Sequence, residues 1–523
     1  MATLRDVNTI DIRAAIELGC RTMQSVFNAD DHDVPFFRST VLPDARLSFS
    51  SRHSESHVPG RHLNALLNAE DAAAIRIDEA AVEKHARAAF FSYGGALPLP
   101  LNRETIGGPL INFHAHNVRE GFHALYALIK YRGSSQASEL ADRSIETIFD
   151  LWHPETGWDR AAIEHDYGLR CNEESTFIVG LARAIGPLVK LYRATGSGRA
   201  LELAKLLADH AVDGWFTADG RYDRSRFGTH THSTTCAMSS LAQLADLTRD
   251  SWLMARVKAF YDNGLWDIRD EVGWVIENSG DDRPPDRGEA NNTGDILETA
   301  LILGRWGHSE AYADAERILR CHLLPSQLRD VSFISEPPNP RNEDGLRDLA
   351  NRHLGAWGFP APYGHVPVEH ETISFNMDIV GGATGSLCEA LRDASTFDAD
   401  GHHVNLLFDN ETPNLRVESP YTHDALRVTL KCPGPLWIRI PSWVADGSLK
   451  VAGNADAPRK FRGRLFFPRV PVNQPVSVTF PLARSEIAMR HRTRTIRVRM
   501  RGDAVEAMDG FGADLTYFDP FDS

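Results

Sequence analysis

Between residues 113 and 325 the chain repeats one phrase four times: an amphipathic helix, a tight turn and a second amphipathic helix. Val118, Phe122, Leu125 and Leu128 make the first stripe, and Ala137, Ala141, Ile145 and Ile148 answer it. Leu181, Ile185 and Leu188 open the second pair, Met238, Leu241 and Leu244 the third, and Ile296, Ala300 and Leu303 the fourth. Apolar residues three and four apart share one face of a helix. The turns after the leading helices end at Gly133, Gly196, Asp250 and Gly307, spaced 63, 54 and 57 residues apart. A helical hairpin of that length cannot bury its stripe alone and must stack on its neighbours. Further helices are expected over 61–80 and 377–392, which brings the total to about six pairs. Six pairs close into a ring, so the predicted fold is mainly α, an (α/α)6 toroid whose long inter-pair loops gather at one rim.

Beyond Asp400 the period shortens to two. Leu436, Ile438 and Ile440 alternate with Trp437 and Arg439, and Val476, Val478 and Phe480 with Ser477 and Thr479. Short alternating runs punctuated by Pro and Gly read as a β-sandwich. The tail 495–500 alternates likewise and is expected to join it. The organisation predicted is a toroid over 1–400, with an irregular N-terminal segment, and a sandwich over 401–523.

Composition narrows the partners. Acidic residues outnumber basic ones, 71 to 56, across 523 residues. A field of that sign repels phosphate backbones, so nucleic acid is not an expected partner. Six scattered cysteines suggest neither a zinc ribbon nor a disulfide scaffold. With no apolar run of membrane-spanning length and no leader in the opening residues, no membrane is expected and the location expected is cytoplasmic. The edge of a sandwich offers a surface for a homo-oligomer.

Phosphate loops, dinucleotide fingerprints, zinc-protease helices and nucleophile elbows do not occur in the sequence. Chemistry must come from polar clusters between the apolar helices. The densest runs from Glu277 through Asp281 and Asp282 to Glu289 and Glu298. Paired carboxylates are the usual means of cleaving an acetal, which needs a proton donor and a second group to attack or to activate water. Glu298 falls within an apolar helix opening, where burial would raise its pKa. Histidine pairs His114/His116 and His230/His232 each precede a repeat helix, placed to face the toroid mouth and to donate to hydroxyls or exchange protons. His53, His57 and His62 form a similar group. Tyr363, His365 and Glu371, followed by Asn376 and Asp378, make a last cluster, and Glu173-Glu174 opens another helix.

Two phrases carry a family resemblance. Gly288-Glu289-Ala290 followed by Asn292 to Ala300, and Ile438-Arg439-Ile440-Pro441-Ser442-Trp443, are similar to phrases of the β-L-arabinofuranosidases of glycoside hydrolase family 127. The resemblance implies an (α/α)6 barrel followed by β-sandwich domains, Glu289 as acid/base, and His116 and His232 against the sugar. It also implies a zinc ion held by a glutamate and three cysteines, one of them the nucleophile. Glu298 matches the glutamate. Ala300 stands where a cysteine is expected, and the paired cysteines are replaced within 371–376.

The reading that follows is a glycoside hydrolase without metal or cofactor, acting on the ends of oligosaccharides. Glu289 would be general acid, and Glu298 or Asp378 base or nucleophile. His114, His116, His230, His232, Tyr363, His365 and Glu371 would bind the carbohydrate. Two alternatives stand beside it. One is a polysaccharide lyase using Tyr363, His365, His232 and Asn376 on a uronate. The other is a sugar-binding protein without activity.

Overall fold

The computed structural model describes residues 4–172, 174–280, 286–491 and 494–521, so Glu173 and the Asp281–Asp282 pair lie outside the described residues. The four repeated phrases become helices Val118–Arg132 with Ser135–Leu151, Ile185–Thr195 with Gly198–Gly214, Thr231–Thr248 with Ser251–Asp262, and Ala290–Arg305 with Ser309–Ile318. Gly133 and Gly196 end two leading helices at φ 62° and 73°, the left-handed turn that glycine adopts without steric cost. The single helix expected over 61–80 is two, Val58–Ala73 and Glu79–Ser92. Ala74 takes a left-handed conformation that stops the first, and the Asp78 carboxylate caps the second by accepting from the Ala80 amide.

Helices Val58–Ala73, Val118–Arg132, Ile185–Thr195, Thr231–Thr248, Ala290–Arg305 and Met377–Ala394 pack each on the next, and the last packs on the first. They form a closed ring of helices with their hairpin partners outside it. The partner of Met377–Ala394 is Ile12–Met23, near the other end of the helical region. Its stripe of Ile12, Ala15, Ile16, Cys20 and Met23 is buried, and Gly19 lets the two helices approach, because a Cβ there would stand 2.3 Å from Thr384 Oγ1.

After Ala394 the chain turns to strands. One five-stranded sheet runs in the order 395–398, 401–404, 436–439, 464–467, 459–461, and another in the order 410–411, 415–418, 426–430, 475–479, 450–452. Val404, Leu436, Ile438 and Phe467 from the first share an apolar core with Val417, Val428, Val476 and Val478 from the second. The tail does not extend either sheet. Residues 484–491, 494–501 and 504–508 form a separate three-stranded sheet, and Met489, Ile496, Val498 and Met500 enter the helical core instead. Alternation revealed the strand but not which apolar surface would receive it.

One buried carboxylate ties the strands to the ring. Glu316, on helix Ser309–Ile318, accepts from Arg320 at 3.0 Å and from the Leu407 amide at 3.1 Å, and pairs with Arg439 of strand Leu436–Arg439. Arg439 also donates to the Asn405 carbonyl at 2.6 Å. The arginine of the sequence phrase around Pro441 is therefore a clamp between helices and strands. Removing one partner of a buried pair leaves the other charge uncompensated, at a cost of about 3–5 kcal/mol. Glu316→Ala is expected to lower the urea midpoint accordingly; a shift under about 1 kcal/mol would contradict the clamp.

Candidate active site

The ring brings the N-terminal ends of its helices to one place, and the polar clusters of the sequence sit on those ends. His57 immediately precedes Val58–Ala73 and Arg61 lies in its first turn. His116 and Asn117 precede Val118–Arg132, with Glu120 in the first turn. Arg183 lies just before Ile185–Thr195, His230 immediately precedes Thr231–Thr248, Glu289 immediately precedes Ala290–Arg305, and Asp378 is in the first turn of Met377–Ala394. Helix N-termini carry partial positive charge, which suits a place crowded with carboxylates.

Glu289 is buried, and its Oε1 accepts from Asn291 at 2.8 Å. Its oxygens lie 3.6 Å from His232 Nδ1 and 3.9 Å from His230 Nε2. Burial, with the Asp378 and Glu277 carboxylates nearby, pushes its pKa up to about 8, against the opposing pull of Arg61. His232 bridges onward, its Nε2 3.5 Å from Asp295 Oδ2 and 3.4 Å from Arg61 Nη2. Asp295, also buried, accepts from Thr235 at 3.0 Å, and burial raises it to about 7. Two carboxyls that hold protons near neutrality thus flank one imidazole. Burial and the Arg61 and Arg183 charges hold His232 well below the usual histidine range, so it is neutral.

The opposite wall is fixed by charge. Glu120 takes Arg61 at 3.2 Å, Arg119 at 3.0 Å and Arg183 at 3.1 Å on one oxygen. Those cations and His57 hold its carboxyl well below the ordinary range despite burial. His57 places Nδ1 2.9 Å from Asn117 Oδ1 and Nε2 3.3 Å from Asp378 Oδ2. Asp378 Oδ2 also faces Arg61 Nε at 3.6 Å, while its buried Oδ1 has no protein partner. Arg183 donates to His116 Nδ1 at 2.5 Å, and burial together with that cation keeps His116 neutral. Its remaining proton is therefore on Nε2. The His116 and His230 rings stand 5.7 Å apart, and the His230 side chain is 35 % exposed, at the opening.

The placement separates the sequence candidates. Glu289, Asp378, His116, His230 and His232 come together, with His53 and His57 beside them. Glu298 does not meet Glu289. Nine residues along one helix at about 1.5 Å each put it roughly 13 Å deeper, where it accepts from Ser239 and Ser386 at 3.0 Å. Tyr363 is buried elsewhere, its hydroxyl donating to Asp286 at 2.9 Å. His365 is buried against Tyr517, 3.1 Å from its hydroxyl, and Glu371 is exposed to solvent. That cluster reads as a polar loop in sequence, yet it packs against the tail, where Gly364 bridges to Thr516. His114 ends strand Leu110–His114, lowered to about 4 by burial and Arg52. Arg61, Glu120, Arg183 and Asp295 were missed. Each lies within or beside the first turns of a ring helix, where a charge among apolar residues was the available signal.

The zinc set implied by the family phrases does not fit. Among the described residues, hydroxyls and the Gln243 amide surround Glu298, and Cys236 is the one thiol lining its cavity. Burial raises that thiol's pKa. Other groups have spacing that an ion could bridge: His230, His232 and Glu289 place one ligand atom each within 4.8 Å of one another, as do His53, His57 and His116.

No protein-family model matches the chain, and no curated protein matches it. Solved structures do. A GH127 β-arabinofuranosidase aligns with a TM-score of 0.58 at 14 % identity, over 96 % of this chain and 81 % of that one. The GH127 β-L-arabinofuranosidase of Geobacillus stearothermophilus T6 aligns at 0.54 and 13 %, over 94 % and 80 %. A sugar epimerase from a ruminal bacterium aligns at 0.51 and 13 %, over 73 % and 99 %. The chain shares its fold, a helical toroid with a strand-rich region after it, with the GH127 enzymes. Among the described residues no helix is long and apolar enough to cross a membrane.

A neutral buried Glu289 affects stability. The fold keeps its proton where the unfolded chain has lost it, so stability falls as pH rises from the ordinary carboxyl range to about 8 and levels beyond. Glu289→Gln is expected to melt several degrees above the parent at about pH 8 and level with it at about pH 4. Equal melting at both pH values would contradict a neutral Glu289.

Proposed function

We propose that the chain is a glycoside hydrolase acting from the ends of oligosaccharides, built as an (α/α)6 toroid with a β-sandwich. The observation that carries this reading is the meeting of Glu289 with Asp378 and neutral histidines at the joined helix ends. Glu289, protonated at neutrality, donates to the departing glycosidic oxygen. Asp378 is the second carboxylate and either attacks the anomeric carbon or draws a proton from water. His116, through Nε2–H, and His230 hold hydroxyls. His232 and Asp295 form a route by which Glu289 recovers its proton.

End-wise action has its own support. Beneath the site a cavity of about 30 Å³ lies among Arg61, Arg119, Asp295 and Glu298, room for about two waters. A space of that volume holds no sugar ring, which supports entry and exit by the same mouth. The elimination alternative loses Tyr363 and His365, which lie outside the site.

A screen of aryl glycosides and uronate oligosaccharides, reading released phenol and new double bonds, tests the class of reaction. Phenol release is expected, and a double bond would favour the lyase. Glu289→Gln should reduce turnover by about 10²–10⁴-fold with folding intact; a near-parental rate would refute the assignment. Because the acid must be protonated, the parent's rate should fall as pH rises through about 8. Separation of the two carboxyls sets the stereochemistry: ~5 Å gives retention and ~6.5–9.5 Å inversion.

A further inference from the structure

Beside the histidine cluster lies a cavity of about 320 Å³ that no step above uses. Trp152, Trp158 and Phe177 line it together with Arg160, Asn172 and Glu174. It adjoins the site directly: Ala115 lines it, and Glu174 Oε1 accepts from the backbone amide of His116 at 3.3 Å. Two of its rings are stacked, and one of them meets a ring behind the wall. Trp152 stacks on Phe177 at 5.5 Å, and Phe177 meets the Trp215 ring at 5.4 Å. Trp158 and Phe177 are only half-buried, although large aromatic rings usually bury most of their surface.

A ligand for such a space needs flat apolar faces and a ring of hydroxyls. Sugar rings have both: their axial C–H bonds lie on aromatic faces, and their hydroxyls bond equally to donors and acceptors. Asn172 and Glu174 supply amide and carboxylate, and Arg160 a cation, so the cavity is not selective for one charge. The volume falls at the lower end of small-ligand pockets, about 300–1,000 Å³.

We propose that this cavity is a second sugar subsite, which receives the ring leaving with the glycosidic oxygen and makes the substrate an oligosaccharide. The proposal rests on the glycosidase reading for the direction of the bond between the two sites, while sugar binding in the cavity stands apart from turnover.

The test is binding, measured by isothermal calorimetry on the full chain carrying Glu289→Gln, so that hydrolysis of the disaccharide adds no heat. Pentosyl and hexosyl disaccharides are each run beside their constituent monosaccharides. At least one disaccharide is expected to bind tenfold or more tightly than either of its monosaccharides. Trp158→Ala should abolish that increment, and Trp158→Phe should retain most of it. Asn172→Ala, which removes a hydroxyl partner and the amide's bond to the Phe113 carbonyl but no aromatic packing, should lower it several-fold and serves if the tryptophan variant does not fold. A panel in which no disaccharide exceeds its monosaccharides overturns the subsite, as does an increment that survives both Trp158→Ala and Asn172→Ala. Turnover does not enter, so a chain without hydrolase activity can still pass, and an active hydrolase can still fail.

Discussion

One buried carboxylate holds the mouth of the ring together. Glu120 receives guanidinium groups from Arg61, Arg119 and Arg183, which come from three ring helices or the turns before them, with His57 beside it. Placing three cations and an anion out of water is costly, and such a cluster persists only when its members satisfy one another. Here the arrangement orients the remaining groups. Arg183 fixes the tautomer of His116, Arg61 reaches His232 and Asp378, and Arg119 faces Asp295.

Glu289 stands at the balance of opposing effects. A helix N-terminus and Arg61 favour its charged form, whereas burial and the Asp378 and Glu277 carboxylates favour the neutral one, and burial is the largest. Asp378 keeps Arg61 and His57 as close partners on one oxygen. The two carboxyls thus sit in unlike surroundings, an asymmetry on which the proposed division into acid and base rests.

Much of the architecture was legible because it is periodic. The hairpin spacing specified stacked pairs, and the change of period near 400 marked the strands. The helix at Ile12–Met23 escaped notice because its stripe has no neighbouring repeat; its partner, Met377–Ala394, is more than 350 residues away. The same limit applies to the site. Glu289, His116, His230 and His232 were visible as polar residues at helix starts, a position the ring turns inward. Glu298 lies on the helix that Glu289 precedes, but nine residues span two and a half turns, so nearness in sequence became separation along the axis. Tyr363, His365 and Glu371 share composition with a binding loop, yet Tyr363 and His365 are covered by the segment 515–517 and Glu371 faces solvent. Arg61, Glu120 and Arg183 come from distant segments, and no spacing rule links them before the ring closes.

The central claim is that Glu289 holds a proton at neutral pH where the ring helices meet. Infrared difference spectroscopy between the parent chain and Glu289→Gln, followed across pH, reads that proton directly. The account predicts a carboxylic-acid carbonyl band at neutral pH, absent from the variant and lost with a midpoint near 8. A Glu289 signal already that of a carboxylate in the ordinary acidic range would contradict it, and with it the assignment of the acid.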